Sequence, residues 1–185
     1  MKDKLTDGFK EFSKEYTSKL KEAEKIISSM EDFSMQTINS SHTNFSIFDQ
    51  KHVLYYFELP KGFGFSPNEI CSVISKEKED NKTLKLPKVN ASNANGEKNR
   101  ILYVGKSSGK FSTRLKQHLF NNSKSTYALH LSEWQRIFNT EKELNLNLYF
   151  VSFSDKIKEA NKDVLEIIET SLHYQLKPIL GRTGH

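Results

Sequence analysis

Arg100-Ile101-Leu102-Tyr103-Val104-Gly105-Lys106 and, after a short break, Phe111-Ser112-Thr113-Arg114-Leu115-Lys116-Gln117-His118-Leu119 set a β-prone run directly before a helical one. The first segment is apolar and β-prone as far as Val104, which predicts a strand, and Gly105 to Gly109 predicts a turn. In the second, Phe111, Leu115 and Leu119 recur at helical spacing, with Ser112 or Thr113 near the start. Arg114 and His118 are four residues apart, so one face of that helix presents both.

Working outward, His52 to Leu59 alternates as a strand, with Val53, Tyr55 and Phe57 on one face and Leu54 and Tyr56 on the other, until Pro60 and Gly62 end it. Leu144 to Phe153 alternates in the same way and predicts a third strand. Ser66-Pro67 caps a short helix through Glu69, Ile70, Val73 and Ile74. Tyr127 to Phe138 predicts another helix, and Asp155 to Leu176 a last one, stopped by Pro178 and Gly181. Lys76 to Arg100 is rich in Lys and Asn and reads as an exposed excursion. At the N-terminus, Leu5, Phe9, Phe12, Tyr16, Leu20, Ala23, Ile27 and Met30 mark the stripe of a long amphipathic helix, either packed onto its own domain or forming a dimer seam. Ser34 to Asn44 reads as a linker. The expectation is an α+β fold: a small three-stranded antiparallel sheet flanked by helices, with an N-terminal amphipathic helix. Residues 1–50 are taken as the helical extension and linker, and 51–185 as the main domain with an insertion at about 61–99.

Lys plus Arg outnumber Asp plus Glu by 28 to 23, giving a formal charge of +5 and a pI near 9.1, which suits a polyanionic partner. Cys71 is the only cysteine, which excludes a disulfide framework or a thiolate zinc site within the chain and favours a reducing compartment. No apolar run approaches the roughly 20 residues that span a bilayer, and the start lacks a signal core, so a cytoplasmic protein without a membrane partner is expected.

Tyr103, Lys106, Arg114, His118 and the later Glu169 are the residue types that phosphoryl hydrolysis needs: cations for phosphate, a phenol for proton handling and a carboxylate for a divalent metal. Taken singly, each has an ordinary reading: a core tyrosine with a wet tip, an exposed helical arginine, a half-buried histidine, a salt-bridged glutamate.

The ordered set resembles the GIY-YIG nucleases. The likeness runs from about His52 to Gly184 and rests on Val53-Leu54-Tyr55, Tyr103-Val104-Gly105, Arg114, and Glu169 within Ile167-Ile168-Glu169-Thr170-Ser171-Leu172 ahead of Lys177-Pro178. Lys106 and His118 match positions used by restriction-type members. Val53 replaces the family's first glycine, Tyr56 beside Tyr55 leaves open which one faces the site, and Gly181 stands where an asparagine is common.

The resemblance implies a GIY-YIG-like fold and a Mg²⁺ (or Mn²⁺) dependent endonuclease acting on DNA, most like the restriction branch. Glu169 would hold the metal, Arg114 would grip the scissile phosphate in a forked contact, and Tyr55 would activate water, assisted by Lys106. Tyr103 would position phosphate or water, and His118 would hold a phosphate oxygen or the attacking water. Lys82, Lys85, Lys88, Lys98, Arg100, Lys110 and Lys116 are candidates to track backbone phosphates, and the excursion's asparagines to reach base edges. Ser123 to Tyr127 is a further candidate contact. A non-catalytic DNA-binding module on the same fold and a nuclease for branched DNA or RNA are the alternatives, and a homodimer through the N-terminal helix is a possible assembly.

Overall fold

The computed structural model describes residues 2–94, 98–120, 126–157 and 162–182. Among these, five α-helices flank one sheet: α1 (Lys2–Ser28), α2 (Pro67–Asp80), α3 (Phe111–Leu119), α4 (Trp134–Ile137) and α5 (Lys162–Leu176). The strands are β1 (Ser34–Ile38), β2 (Val53–Glu58), β3 (Ile101–Ser107) and β4 (Leu146–Ser152), in the order β1-β4-β2-β3. Every neighbouring pair is antiparallel.

The alternation along β2 decides what lies on each face. Val53, Tyr55 and Phe57 point into the larger core, where α3 adds Phe111 and Leu115 and α4 adds Trp134. Leu54 points the other way, into a second core with Val151, Phe153, Ala23 and Ile26 of α1, and Val164, Leu165 and Ile168 of α5. Two cores on one sheet are the layered solution for strands apolar on both faces. Helix α2 begins on a complete capping box: Glu69 N–H donates to Ser66 Oγ, and Glu69 Oε2 accepts from Ser66 N–H.

Four strands are present rather than three. The segment read as a linker holds β1, which pairs with β4 from Ser34↔Phe150 to Ile38↔Leu146. Its pattern hid it, because only Ile38 is buried and the strand is held by backbone bonds at the sheet edge rather than by an apolar face. Phe48, also in residues 1–50, is buried in the larger core.

The helix expected after Ser66-Pro67 is present as α2, but Lys76 to Arg100 is not the solvated excursion expected: α2 runs on to Asp80, and Leu84, Leu86 and Ala94 are buried. Three of its asparagines bond to the C-terminal turn: Asn90 Nδ2 donates to Pro178 O (3.1 Å) and Gly181 O (3.0 Å), Asn93 Nδ2 to Pro178 O (3.0 Å), and Asn99 Nδ2 to Lys177 O (2.8 Å). They satisfy carbonyls of the C-terminal turn, which the polar composition alone disguised as loop.

The helix expected over Tyr127 to Phe138 is reduced to a 3₁₀ turn (Leu131–Glu133) and α4. Ala128 and Leu129 lie outside any helix, with Ala128 N–H donating to Lys85 O (3.1 Å) and Leu129 N–H to His118 Nδ1 (3.2 Å). Helix α5 begins at Lys162; Asp155 to Ile157 is a turn, and residues 158–161 lie outside the described residues. No helix of the described residues is long and apolar enough to cross a membrane.

Candidate active site

Strand β3 is an edge strand, and its alternation sends Tyr103 and Lys106 to opposite faces. Tyr103 joins the α3 side and Lys106 the α5 side, so a cleft wrapping this edge collects groups from both layers. It measures about 550 Å³, and its wall includes Tyr103, Lys106, Arg114, Glu169, Gly181 and Arg182. Lys78 and Lys88 also line it, which sets five cations against one carboxylate and makes the cleft suited to an anion.

Gly105 makes the tyrosine arrangement possible. It faces Tyr55 across the β2–β3 ladder, and a Cβ at that position would stand 2.6 Å from Tyr55 Oη and 2.8 Å from Tyr103 Cε1. Only a residue without a side chain lets both rings lie over the strand; they stack with centroids 6.4 Å apart.

Arg114 ties the pair together. Its Nε–H donates to Tyr55 Oη (3.1 Å) and one Nη2–H to Tyr103 Oη (3.2 Å); Nη2 also donates to Tyr127 O (3.1 Å) and Nη1 to Gln117 Oε1 (2.9 Å). Four of its five N–H donors therefore have acceptors, and one Nη1–H remains. The forked phosphate contact expected from the sequence does not fit that commitment.

His118 is fully buried behind Tyr55. Its Nδ1 accepts from Leu129 N–H, so the neutral ring carries its proton on Nε2 and donates it to Tyr55 Oη at 2.9 Å. Burial, aided by the charge of Arg114 and by His130, holds its pKa well below the usual histidine range and keeps it neutral. With both nitrogens engaged away from the cleft, His118 positions Tyr55 and does not reach a phosphate or water there.

Tyr55 is the tyrosine that joins this network, and Tyr56 lies on the other face, stacked on Tyr149 at 4.6 Å. Burial raises the Tyr55 pKa, opposed by Arg114. The cation at its hydroxyl is Arg114 and not Lys106, a correction that follows from the pleat, since Lys106 points to the α5 side. Burial also raises Tyr103, again with Arg114 opposing. Tyr103 is the phenol that lines the cleft.

Lys106 Nζ lies 2.8 Å from Glu166 Oε2 and 3.6 Å from Glu169 Oε2. Those glutamates are one turn apart on α5. Burial raises the Glu169 pKa to about 7, with Lys106 opposing and Glu166 reinforcing. A carboxylate this desolvated in an anion-seeking cleft fits a hydrated divalent ion, which takes one or two carboxylates and completes its shell with water and phosphate oxygens. Among the described residues Glu169 is the only carboxylate in the cleft wall, and no group of three or more His, Cys, Asp or Glu is placed to hold a metal ion together.

The other expected phosphate contacts are dispersed. Among the described residues, Lys88 alone of that set lines the cleft. Arg100 donates to Leu59 O, Lys110 pairs with Asp49 at 3.3 Å, and Lys116 sits 5.1 Å over the Phe45 ring. Lys98 is exposed and Lys85 half-buried, away from the cleft wall, and Ser123 to Ser125 lie outside the described residues. Sequence reasoning missed Lys78, Arg182, Gln117 and Glu166. Glu166 alone had a readable signal, its place one turn before Glu169.

Gly181, at φ +109, is in the left-handed region, and a Cβ there would stand 3.2 Å from the Tyr103 ring. An asparagine at this position would be strained by its backbone conformation and would press on the Tyr103 ring, which would have to give by a few tenths of an ångström. Comparison with protein-family models, curated proteins and solved structures finds no match for this chain.

Proposed function

We propose that the chain is a divalent-metal-dependent endonuclease that hydrolyses phosphodiester bonds of DNA, of the GIY-YIG kind its motifs resemble and restriction-like in carrying Lys106, Arg114 and His118, the last as a positioning residue behind Tyr55. One observation carries this reading: Tyr103, Lys106, Arg114 and Glu169, contributed by β3, α3 and α5, line a single basic cleft.

Glu169, when ionised, would hold Mg²⁺ or Mn²⁺, and a bound ion supplies charge stabilisation at the phosphate and the leaving oxygen. Arg114 contributes its charge and its one spare N–H to the phosphate, while its other donors fix the two phenols. Tyr103 accepts from Arg114 and keeps its own O–H to donate to a phosphate oxygen or a water. Tyr55 and His118 hold Arg114 and Tyr103 in place from behind. Lys78, Lys88 and Arg182 follow the flanking phosphates.

The test is cutting of duplex, branched and single-stranded DNA and of RNA in Mg²⁺, with chelator controls. Metal-dependent cleavage of duplex DNA, lost in Glu169→Gln and Arg114→Ala, is expected; equal cutting by these variants would refute the assignment, and preference for RNA or branched DNA would redirect the substrate. A second reading, a non-catalytic DNA-binding module, is favoured by the burial of Tyr55 and the commitment of Arg114 to protein acceptors. It expects salt-sensitive DNA binding indifferent to divalent metal.

A further inference from the structure

Helix α1 is divided in two. Its C-terminal half packs on the domain through Ala23 and Ile26, but residues 5–18 are exposed at every position, a projecting rod of about 21 Å at 1.5 Å per residue. Along it Leu5, Phe9, Phe12 and Tyr16 remain 70, 70, 61 and 46 % exposed. They are spaced four, three and four apart, the a and d seam of a coiled coil. Lys19 ends the run where the next seam residue would fall, held by Asp163 at 2.6 Å and Glu15 at 2.8 Å. Phe12 and Tyr16 border α5 across an open groove, and the described residues leave most of this stripe uncovered.

We infer that the projecting half of α1 pairs antiparallel with the same segment of a second copy, Phe9 of one against Phe12 of the other and Leu5 against Tyr16. With about 200 Å² for each large side chain, the four expose on the order of 500 Å² per copy, so full coverage in two copies reaches about 1,000 Å², the lower bound for a specific interface. The positions flanking the seam are small, Thr6, Gly8 and Ser13, and the one charged flank, Glu15, meets Gly8 in this register, so helices approach closely without like charges facing. Antiparallel pairing also sends the two globular bodies to opposite ends of the rod, whereas parallel pairing crowds them on one side. A groove of about 750 Å³ continues the seam between Phe12, Tyr16, Leu20, Ile167 and Tyr174 and receives the partner's helix end.

Charge decides against a lipid or nucleic-acid occupant. Residues 2–18 carry four lysines and four carboxylates, so the polar face has no net charge with which to seek an anionic surface. If the nuclease reading holds, the two-fold supplies two clefts for two strands; the pairing itself does not depend on it.

The experiment is sedimentation of the full chain without DNA or metal, from low micromolar concentration upward. A dimer is expected for the parent, and Phe9→Glu/Phe12→Glu should weaken it by on the order of a hundredfold or more while leaving the near-ultraviolet circular dichroism unchanged. Mixing Phe9→Cys with Phe12→Cys chains should give mixed disulfides faster than either chain alone links to itself. A parent that stays monomeric, whether or not it sediments with anionic vesicles, overturns the inference. So does a dimer insensitive to the double substitution, or a set of Phe9→Cys chains that link to one another as fast as they link to Phe12→Cys chains.

Discussion

A methyl group at position 105 has nowhere to go, because the Tyr55 hydroxyl oxygen would lie 2.6 Å away and the Tyr55 Cζ 2.7 Å away. Gly105→Ala should therefore push the ring pair off the strand, costing about 1–3 kcal/mol in denaturant unfolding and most of any cleavage rate. Arg114 invites a different test, since it fixes both phenols and faces the cleft: Arg114→Lys keeps the charge but cannot span the two hydroxyls, and cleavage should fall by about 10²–10³ with DNA affinity nearly kept. Glu169 ties pH to both function and stability. Its folded-state pKa of about 7 lies above the ordinary value of 4.5, so its contribution to stability is complete below about pH 4.5 and is lost as pH rises through 7. Metal-free Glu169→Gln should thus be more stable than the parent in mild alkali, by on the order of 1–3 kcal/mol, as thermal unfolding across pH would reveal. Cleavage should run the opposite way, rising through the same window as the carboxylate ionises to hold metal.

At the scale of elements, the site depends on an edge strand shared by two layers. The C-terminal turn closes on β3, with Ile179 N–H donating to Ile101 O (3.0 Å) and Leu180 N–H to Leu102 O (2.9 Å), and Asn90 ties that turn from the opposite side. Asn90→Ala removes two side-chain donors from buried-side carbonyls and should cost about 1–3 kcal/mol, with a weaker grip on DNA as Gly181 and Arg182 shift; unchanged unfolding would show the turn to be held by the backbone alone. This is also where sequence reading stopped short. The alternation of β2 and β4, the apolar run that opens β3 and the stripes of α3 and α5 were readable, but β3 runs on through Gly105, Lys106 and Ser107, which the glycine and the polar residues disguised as a turn. Strand β1 has one inward residue, and the asparagines at 90, 93 and 99 bond to carbonyls some eighty residues away, which no local pattern records. The commitment of Arg114 and the burial of His118 arise from chain segments, Tyr127 and Leu129, that the sequence disguised as helix.

Over the whole molecule, charge is unevenly spent. The chain carries a formal charge of +5, yet residues 2–18 are balanced and the cleft wall holds five cations against Glu169. DNA affinity should therefore fall steeply with salt, and Lys88→Ala should lower the salt slope by about one ion per site without altering any sequence preference. Glycines, asparagines and packed aromatics all converge on holding that cleft open at the β3 edge. The most direct test of its proposed role is the single-turnover rate at which plasmid DNA is cut in Mg²⁺ by the parent and by Glu169→Gln, side by side. The account predicts cutting by the parent that a chelator abolishes, and none by the variant although it still binds the plasmid. Identical rates for the two proteins, or a parent that binds DNA and never cuts it in Mg²⁺ or Mn²⁺, would contradict it.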